Sequence, residues 1–207
     1  MPQRQPPFQA LVEKLRRMVY ACEDRVFDWR HDIDTRGVIA VSDLATGDGE
    51  ADSHATAYQP VWNRNLRALI RETRKVATPR VFVDIGAGKG KACVYASHSF
   101  ERVIGVEYSA LLVDAAKANL QRAGTANVEF VQADARQYDC PDQPCLVFMF
   151  NPFDAQTLAR FAGRNRERMK IHASLLAYAN DVHREVLRAC GFTCVFRDAR
   201  RSISLWR

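Results

Sequence analysis

The sequence lacks any long apolar run. Leu146 to Phe150 is typical of its longest stretches, and a membrane-spanning helix needs roughly 20 such residues. The opening residues, Met1-Pro2-Gln3-Arg4-Gln5-Pro6-Pro7-Phe8, hold no apolar signal core. A cytoplasmic location, with no membrane partner, is the expectation. Cys-x-x-Cys pairs are missing too. The six cysteines stand at 22, 93, 140, 145, 190 and 194, so a zinc site has no supporting spacing and buried reduced thiols are expected. His31, His54, His98, His172 and His183 show no metal or general-base spacing. There is no internal repeat and no low-complexity tract. What remains is ordinary for a soluble globular protein: 47% apolar and 26% charged residues over 207 positions. A chain of this size buries roughly 70% of its unfolded surface and needs no staples. The net charge of +6 suits an acidic protein or a nucleic acid without choosing between them.

The chain divides in two. Residues 1–77 read as a helical N-terminal extension or lid. A helix is expected from about Phe8 to Trp29, where Leu11, Leu15, Met18, Val19, Cys22 and Val26 recur at three- and four-residue steps. Residues 30–57 carry Gly37, Gly47 and Gly49 and read as a long loop with one short strand at Val38 to Val41. A helix from about Val61 to Val76 follows, with an apolar stripe of Trp62, Leu66, Leu69 and Ile70. Its other face carries Arg64, Arg67, Arg71 and Arg74, either a solvated face or a contact surface for an acidic substrate.

Residues 78–207 alternate regularly. Strands are expected at Val81 to Ile85, Val103 to Val106, Val128 to Gln132, Cys145 to Phe150 and Ser174 to Ala179. Helices are expected at Lys91 to Ser99, Ala110 to Ala123, Ala155 to Met169 and Val182 to Ala189. This is an α/β pattern with a parallel sheet and right-handed crossovers. Two last strands, Phe192 to Arg197 and Ser202 to Trp206, are separated only by Asp198 to Arg201. No crossover fits in four residues, so these strands must pair antiparallel.

The chemistry gathers at the strand ends. The first strand runs into Asp84-Ile85-Gly86-Ala87-Gly88-Lys89-Gly90-Lys91, a tight turn at a helix start where backbone can approach a ligand closely. A dinucleotide turn needs its third glycine at position 91, which is lysine. A P-loop needs Gly-Lys-Ser/Thr, and Gly90-Lys91 is followed by Ala92. Asp84 is placed to receive a positively charged group or to orient a water. The second strand ends in Glu107-Tyr108-Ser109, and a carboxylate there can accept from two adjacent ribose hydroxyls. The third strand leads to Asp134-Ala135, an acid and a backbone N–H that can read adenine. The fourth ends in Asn151-Pro152-Phe153, above the carboxyl edge where ligands of such sheets bind.

On these residues the chain resembles the class I S-adenosylmethionine-dependent methyltransferases, over about residues 78 to 207. Asp84, Gly86, Ala87, Gly88 and Gly90 match that family's first motif, Glu107 its ribose acid, and Asp134 with Ala135 its adenine contacts. The resemblance implies a Rossmann-like seven-stranded fold and S-adenosylmethionine as cofactor, leaving as S-adenosylhomocysteine. Tyr108 and Asn151 join the expected cofactor contacts, with Tyr58 as a lid residue over the methionine end. Asn151-Pro152-Phe153 is similar to the Asn/Asp-Pro-Pro-Tyr/Phe motif of enzymes that methylate nitrogen, with one proline in place of two. The catalytic expectation therefore falls on Asn151, Pro152 and Phe153, and the favoured acceptor is an amine of a protein, lysine first. Nucleic acid, a small molecule, or a binding module without turnover are the alternatives. Lys89 and Lys91 receive no catalytic role and are expected at most to neutralise nearby carboxylates.

Overall fold

The structure, a computed structural model, describes residues 7–44 and 56–207, with side chains from residue 14 onward. The proline-rich start, Gly47, Gly49 and His54 lie outside the described residues. Helix α1 spans Pro7–Arg30 and α2 spans Asn63–Val76. Then come β1 (Val81–Ile85), α3 (Lys91–Ser97), β2 (Arg102–Glu107), α4 (Ala110–Ala123), β3 (Val128–Gln132), β4 (Cys145–Phe150), α5 (Ala155–Ile171), β5 (Leu175–Ala179), α6 (Arg184–Ala189), β6 (Cys194–Asp198) and β7 (Ile203–Trp206).

All seven strands form one sheet in the order β3-β2-β1-β4-β5-β7-β6. The first five pair in parallel, and β7 runs antiparallel to both β5 and β6. The closing hairpin is therefore present, with its second strand slotted between β5 and β6. Its turn is held by Asp198, whose Oδ1 accepts from the N–H groups of Arg200 at 3.0 Å and Arg201 at 3.1 Å. Strands β1, β4 and β5 are almost wholly buried, as apolar runs covered on both faces must be. One face packs Phe82, Leu146 and Leu205 against Leu66, Leu69 and Ile70 of α2 and Ala92, Cys93 and Ala96 of α3. The other packs Val83, Val147 and Trp206 against Leu158 and Phe161 of α5 and Leu187 of α6.

Strand β1 lies between β2 and β4, so the chain reverses direction across the sheet there. In open α/β sheets that reversal leaves a crevice at the carboxyl ends of the strands. Asp84 is level with Gly105 of β2 and Phe148 of β4, one residue below the crevice floor.

The N-terminal part departs from expectation at one point. The proposed strand at Val38 to Val41 is a single bridge, Ile39 with Tyr58, followed by a 3-10 turn at Val41–Leu44. On α1, the stripe residues Leu15, Met18, Val19, Cys22 and Val26 face outward. Its inner side carries Tyr20, Asp24 and Asp28. The surface beneath is polar and aromatic: Arg64 and Trp62 near α2, Lys91 and Tyr95 on α3. Arg64 pairs with Glu23 at 2.6 Å and lies over the Tyr20 ring at 5.0 Å, and Tyr20 meets Trp62 edge-on.

Candidate functional site

The glycine turn is pinned to the end of β2. The N–H groups of Gly86 and Ala87 both donate to the Val106 carbonyl, at 2.9 and 3.0 Å, and that of Gly88 donates to Glu107 Oε2 at 2.8 Å. Oε1 of Glu107 accepts from the N–H groups of Tyr108 and Ser109, each at 2.9 Å. A carboxylate offers about four lone-pair sites, so Glu107 keeps capacity for a hydroxyl. Burial pushes its carboxyl above the ordinary value, against those three bonds.

Asp84 is 3% exposed. Burial pushes its carboxyl up to about 7, with the charge of Glu107 adding and a bond from Cys93 opposing. That bond, Sγ to Oδ2, is long at 3.6 Å. Among the described residues no cation pairs with Asp84. The nearby Lys91 is spent elsewhere: its Nζ lies 3.2 Å from Asp24 and 4.0 Å from Asp28 of α1.

A pocket opens above the strand ends. Its wall includes Asp84, Gly86, Ala87, Gly88, Glu107, Tyr108, Asp134 and Ala135 from the sheet side. Tyr58, Pro152 and Phe153 close it from above, together with Leu44, Thr56, Val61, Leu112 and Arg136. Eleven of the thirteen residues expected from sequence thus meet at one cavity. Gly90 and Asn151 are the exceptions. Gly90 opens α3 with φ of 82°, and a Cβ there would stand 2.7 Å from the Phe130 ring. The missing side chain there lets α3 pack closely on Phe130 of β3.

Asn151 stands behind the pocket wall rather than in it. Its backbone is left-handed, with φ of 40°, a conformation asparagine tolerates. Its Oδ1 accepts from the Tyr178 hydroxyl at 2.8 Å. Its carbonyl accepts from the Thr56 hydroxyl at 2.8 Å, and the Pro152 carbonyl from the Thr56 N–H at 3.2 Å. Each acceptor that the motif would offer to a target amine already takes one bond within the protein, which leaves one lone pair on each.

The cover is fastened at several points. Tyr58 donates its hydroxyl to the Thr35 carbonyl at 2.6 Å, and its ring lies against Gly88, where a Cβ would be 2.4 Å from Cε2. Lys89 sits 5.5 Å from the centre of that ring and donates to the Arg36 carbonyl at 2.9 Å. Thr35 in turn donates its hydroxyl to Asp28 at 2.8 Å. Both lysines of the glycine turn are therefore anchors for the N-terminal segment. Asp134 accepts from the backbone and the guanidinium of Arg136, both at 2.8 Å. Burial works to raise the Asp134 carboxyl, and Arg136 outweighs it, leaving it below the ordinary value.

The arginine face of α2 is not one continuous free stripe. Arg64 docks α1, Arg67 donates to the Tyr95 hydroxyl at 3.3 Å, and Arg71 pairs with Glu72 at 3.1 Å. Thr56 and Arg136 were not singled out by sequence reasoning. Arg136 sits two residues beyond Asp134 and could have been found there. Thr56 carries no local signal.

Among known proteins, residues 82–168 match a family model described as a methyltransferase domain. No curated protein matches the sequence. Among solved structures, the methyltransferase domain of bacterial CtHen1 superposes with a TM-score of 0.52 at 13% identity, over 68% of this chain and 96% of that one. A SAM-dependent methyltransferase from Aquifex aeolicus gives 0.50 at 16% identity, over 69% and 89%. YcgJ from Bacillus subtilis gives 0.44 at 24% identity, over 56% of this chain and 50% of that one, so the chain spans half of that protein. At such identities the first two superpositions establish the fold, and the family match carries the chemistry. Residues 82–168 are thus those of a methyltransferase domain, and the sheet that holds them is shared with an S-adenosylmethionine-dependent methyltransferase.

Proposed function

We propose that this domain methylates an amine nitrogen of a protein, a lysine side chain being the leading case, with residues 1–77 acting as the cover of the site. The supporting observation is the wall that Pro152 and Phe153 build beside the glycine turn. A Cβ on Gly86 would stand 2.3 Å from Pro152 Cβ, so the Asn-Pro-Phe turn directly abuts the cofactor loop.

The residues present fit the cofactor. Asp84 is a buried carboxylate with no cation among the described residues, and an ammonium would complete it. Glu107 has acceptor capacity left for ribose hydroxyls. Asp134 and Ala135 flank the pocket where adenine would be read, with Arg136 holding the Asp134 carboxylate in place. Tyr58 covers the turn at Gly88. When bound, S-adenosylmethionine supplies a methyl group already activated on a sulfonium. The chain's own contribution is alignment and exclusion of water. The apolar rim of Leu44, Val61, Leu112 and Phe153 serves the second, and the strand-end residues serve the first.

Thr56 favours a second reading. It already occupies one lone pair on each of the Asn151 and Pro152 carbonyls. An acceptor positioned by shape rather than by N–H donation, such as a small molecule, suits that crowding better. An amine substrate must share those carbonyls with Thr56 or displace it.

One experiment separates these readings: transfer of labelled methyl from the cofactor into lysate, fractionated into protein, nucleic acid and small molecules. Label recovered as methyl-lysine supports the first reading. Label confined to small molecules supports the second, and label in nucleic acid overturns both. Tight S-adenosylhomocysteine binding with no transfer to any fraction identifies a binding module.

A further inference from the structure

On α1, Leu15, Met18, Val19, Val26 and Trp29 are 53%, 57%, 48%, 56% and 82% exposed. An α-helix turns 100° per residue, which places these five within an arc of about 100°. They form one continuous ridge, not scattered surface residues, and such ridges mark contact sites. Lys14, Arg25 and Arg30 are exposed along its two margins. No carboxylate of a described residue pairs with any of the three. The acids of this helix whose side chains are described are committed elsewhere: Glu23 to Arg64, Asp24 and Asp28 to Lys91.

We propose that this basic-rimmed apolar face of α1 docks the protein on an anionic membrane surface.

The charge pattern argues against a second copy as the occupant. An antiparallel pair of α1 helices centred on Cys22 sets Lys14 opposite Arg30 and Leu15 opposite Trp29. A parallel pair sets each cation near its own counterpart. Both registers oppose like charges at the rim, and no free carboxylate of a described residue on the face relieves them. A peptide partner is disfavoured by shape. The five side chains stand on the convex side of one helix, and no second described element forms a groove wall beside them.

A bilayer surface meets the same features without conflict. Apolar side chains enter the headgroup boundary while a helix lies in its plane. Trp29, the most exposed of the five, has the apolar body and polar N–H that suit this boundary. Long basic side chains reach back to anionic headgroups, each raising partition about fivefold. The net charge of +6 acts in the same direction. No helix of the described residues is long and apolar enough to cross a membrane, so this is contact in the interface plane. The glycine turn would then lie about one helix diameter, roughly 10 Å, from the docked face.

The test is flotation of the full chain with vesicles of phosphatidylcholine, alone or mixed with phosphatidylglycerol, at low salt. The expected result is flotation with the anionic vesicles alone, with a blue shift of tryptophan emission that Trp29→Phe removes. Met18→Glu with Val26→Glu should lower the bound fraction on the order of tenfold or more. Lys14→Glu, Arg25→Glu and Arg30→Glu together should lower it on the order of a hundredfold. All variants should keep wild-type affinity for S-adenosylhomocysteine, which reports an intact fold. Absence of wild-type flotation on anionic vesicles overturns the proposal, as does flotation unchanged by the two glutamates. A wild-type dimer by sedimentation that those glutamates dissociate, without vesicle binding, assigns the face to a second copy and overturns it equally.

Discussion

Lys91, the first residue of α3, reaches back to α1 and places its Nζ 3.2 Å from Asp24 Oδ2, with the lysine side chain 5% and the aspartate side chain 13% exposed. The link joins the cofactor turn to the N-terminal extension across 67 residues of sequence. Removing one partner of a buried pair leaves the other charge stranded, at a cost of about 3–5 kcal/mol. Lys91→Ala should therefore lower unfolding free energy by about 3 kcal/mol or more, measured by urea denaturation. Arg74→Ala, on the exposed side of α2, should change it by less than about 0.5 kcal/mol.

The sheet was legible in the sequence and the cover was not. Strands such as Val81–Ile85 announce themselves because a buried parallel strand must be apolar throughout, and the four-residue turn at Asp198 to Arg201 leaves the last two strands no choice but to pair antiparallel. The cavity lining followed, because strand ends in such a sheet converge. Helix periodicity, by contrast, reports that α1 has an apolar stripe but not which way it faces. That depended on the polar surface offered by Arg64 and Lys91. Thr56 contacts Asn151 across 95 positions, and nothing local in either residue encodes the meeting. Asn-Pro suggested a turn, yet the left-handed backbone that sends the Asn151 side chain to Tyr178 is a property of the assembled fold.

Glu107 should prove a double anchor. It holds the N–H groups of Gly88, Tyr108 and Ser109 and is assigned the ribose hydroxyls. Glu107→Ala should weaken S-adenosylhomocysteine binding by about 1.5–3 kcal/mol, the range for hydrogen bonds to a charged group. Calorimetry measures this directly. Unchanged affinity removes the ribose role.

Asp84 should give cofactor binding a pH dependence. Its carboxyl is raised from 3.8 to about 7 by burial first and by Glu107 in addition. The protonated form is thus favoured in the folded chain, so this stabilising contribution is complete below about pH 4 and is lost as pH rises through about 7. Ligand binding runs the other way, because an ammonium needs the carboxylate. Affinity for S-adenosylhomocysteine should rise between about pH 5 and about pH 7, by at most tenfold per pH unit, and then level off. Asp84→Asn should bind weakly with a flat profile. A wild-type profile that is already flat would remove Asp84 from the ammonium role.

Gly88 and Tyr58 offer the sharpest test of the cover. At Gly88 φ is 54°, and an added Cβ would lie 2.4 Å from Cε2 and 2.6 Å from Cδ2 of the Tyr58 ring. Two costs are therefore superposed in Gly88→Ala. The left-handed backbone costs about 1–2 kcal/mol for a residue with a Cβ, and that part is independent of Tyr58. The clash is not, because it vanishes if the ring is removed. Tyr58→Ala alone loses the ring packing and the bond to the Thr35 carbonyl, which should lower the unfolding free energy on its own. In the double variant the steric cost disappears, so its loss of stability should be smaller than the sum of the single losses by about 1 kcal/mol or more, as for residues in direct contact. Urea denaturation of all four proteins without ligand gives this coupling. Additive losses would mean that the Tyr58 ring does not rest on Gly88 in the ligand-free chain.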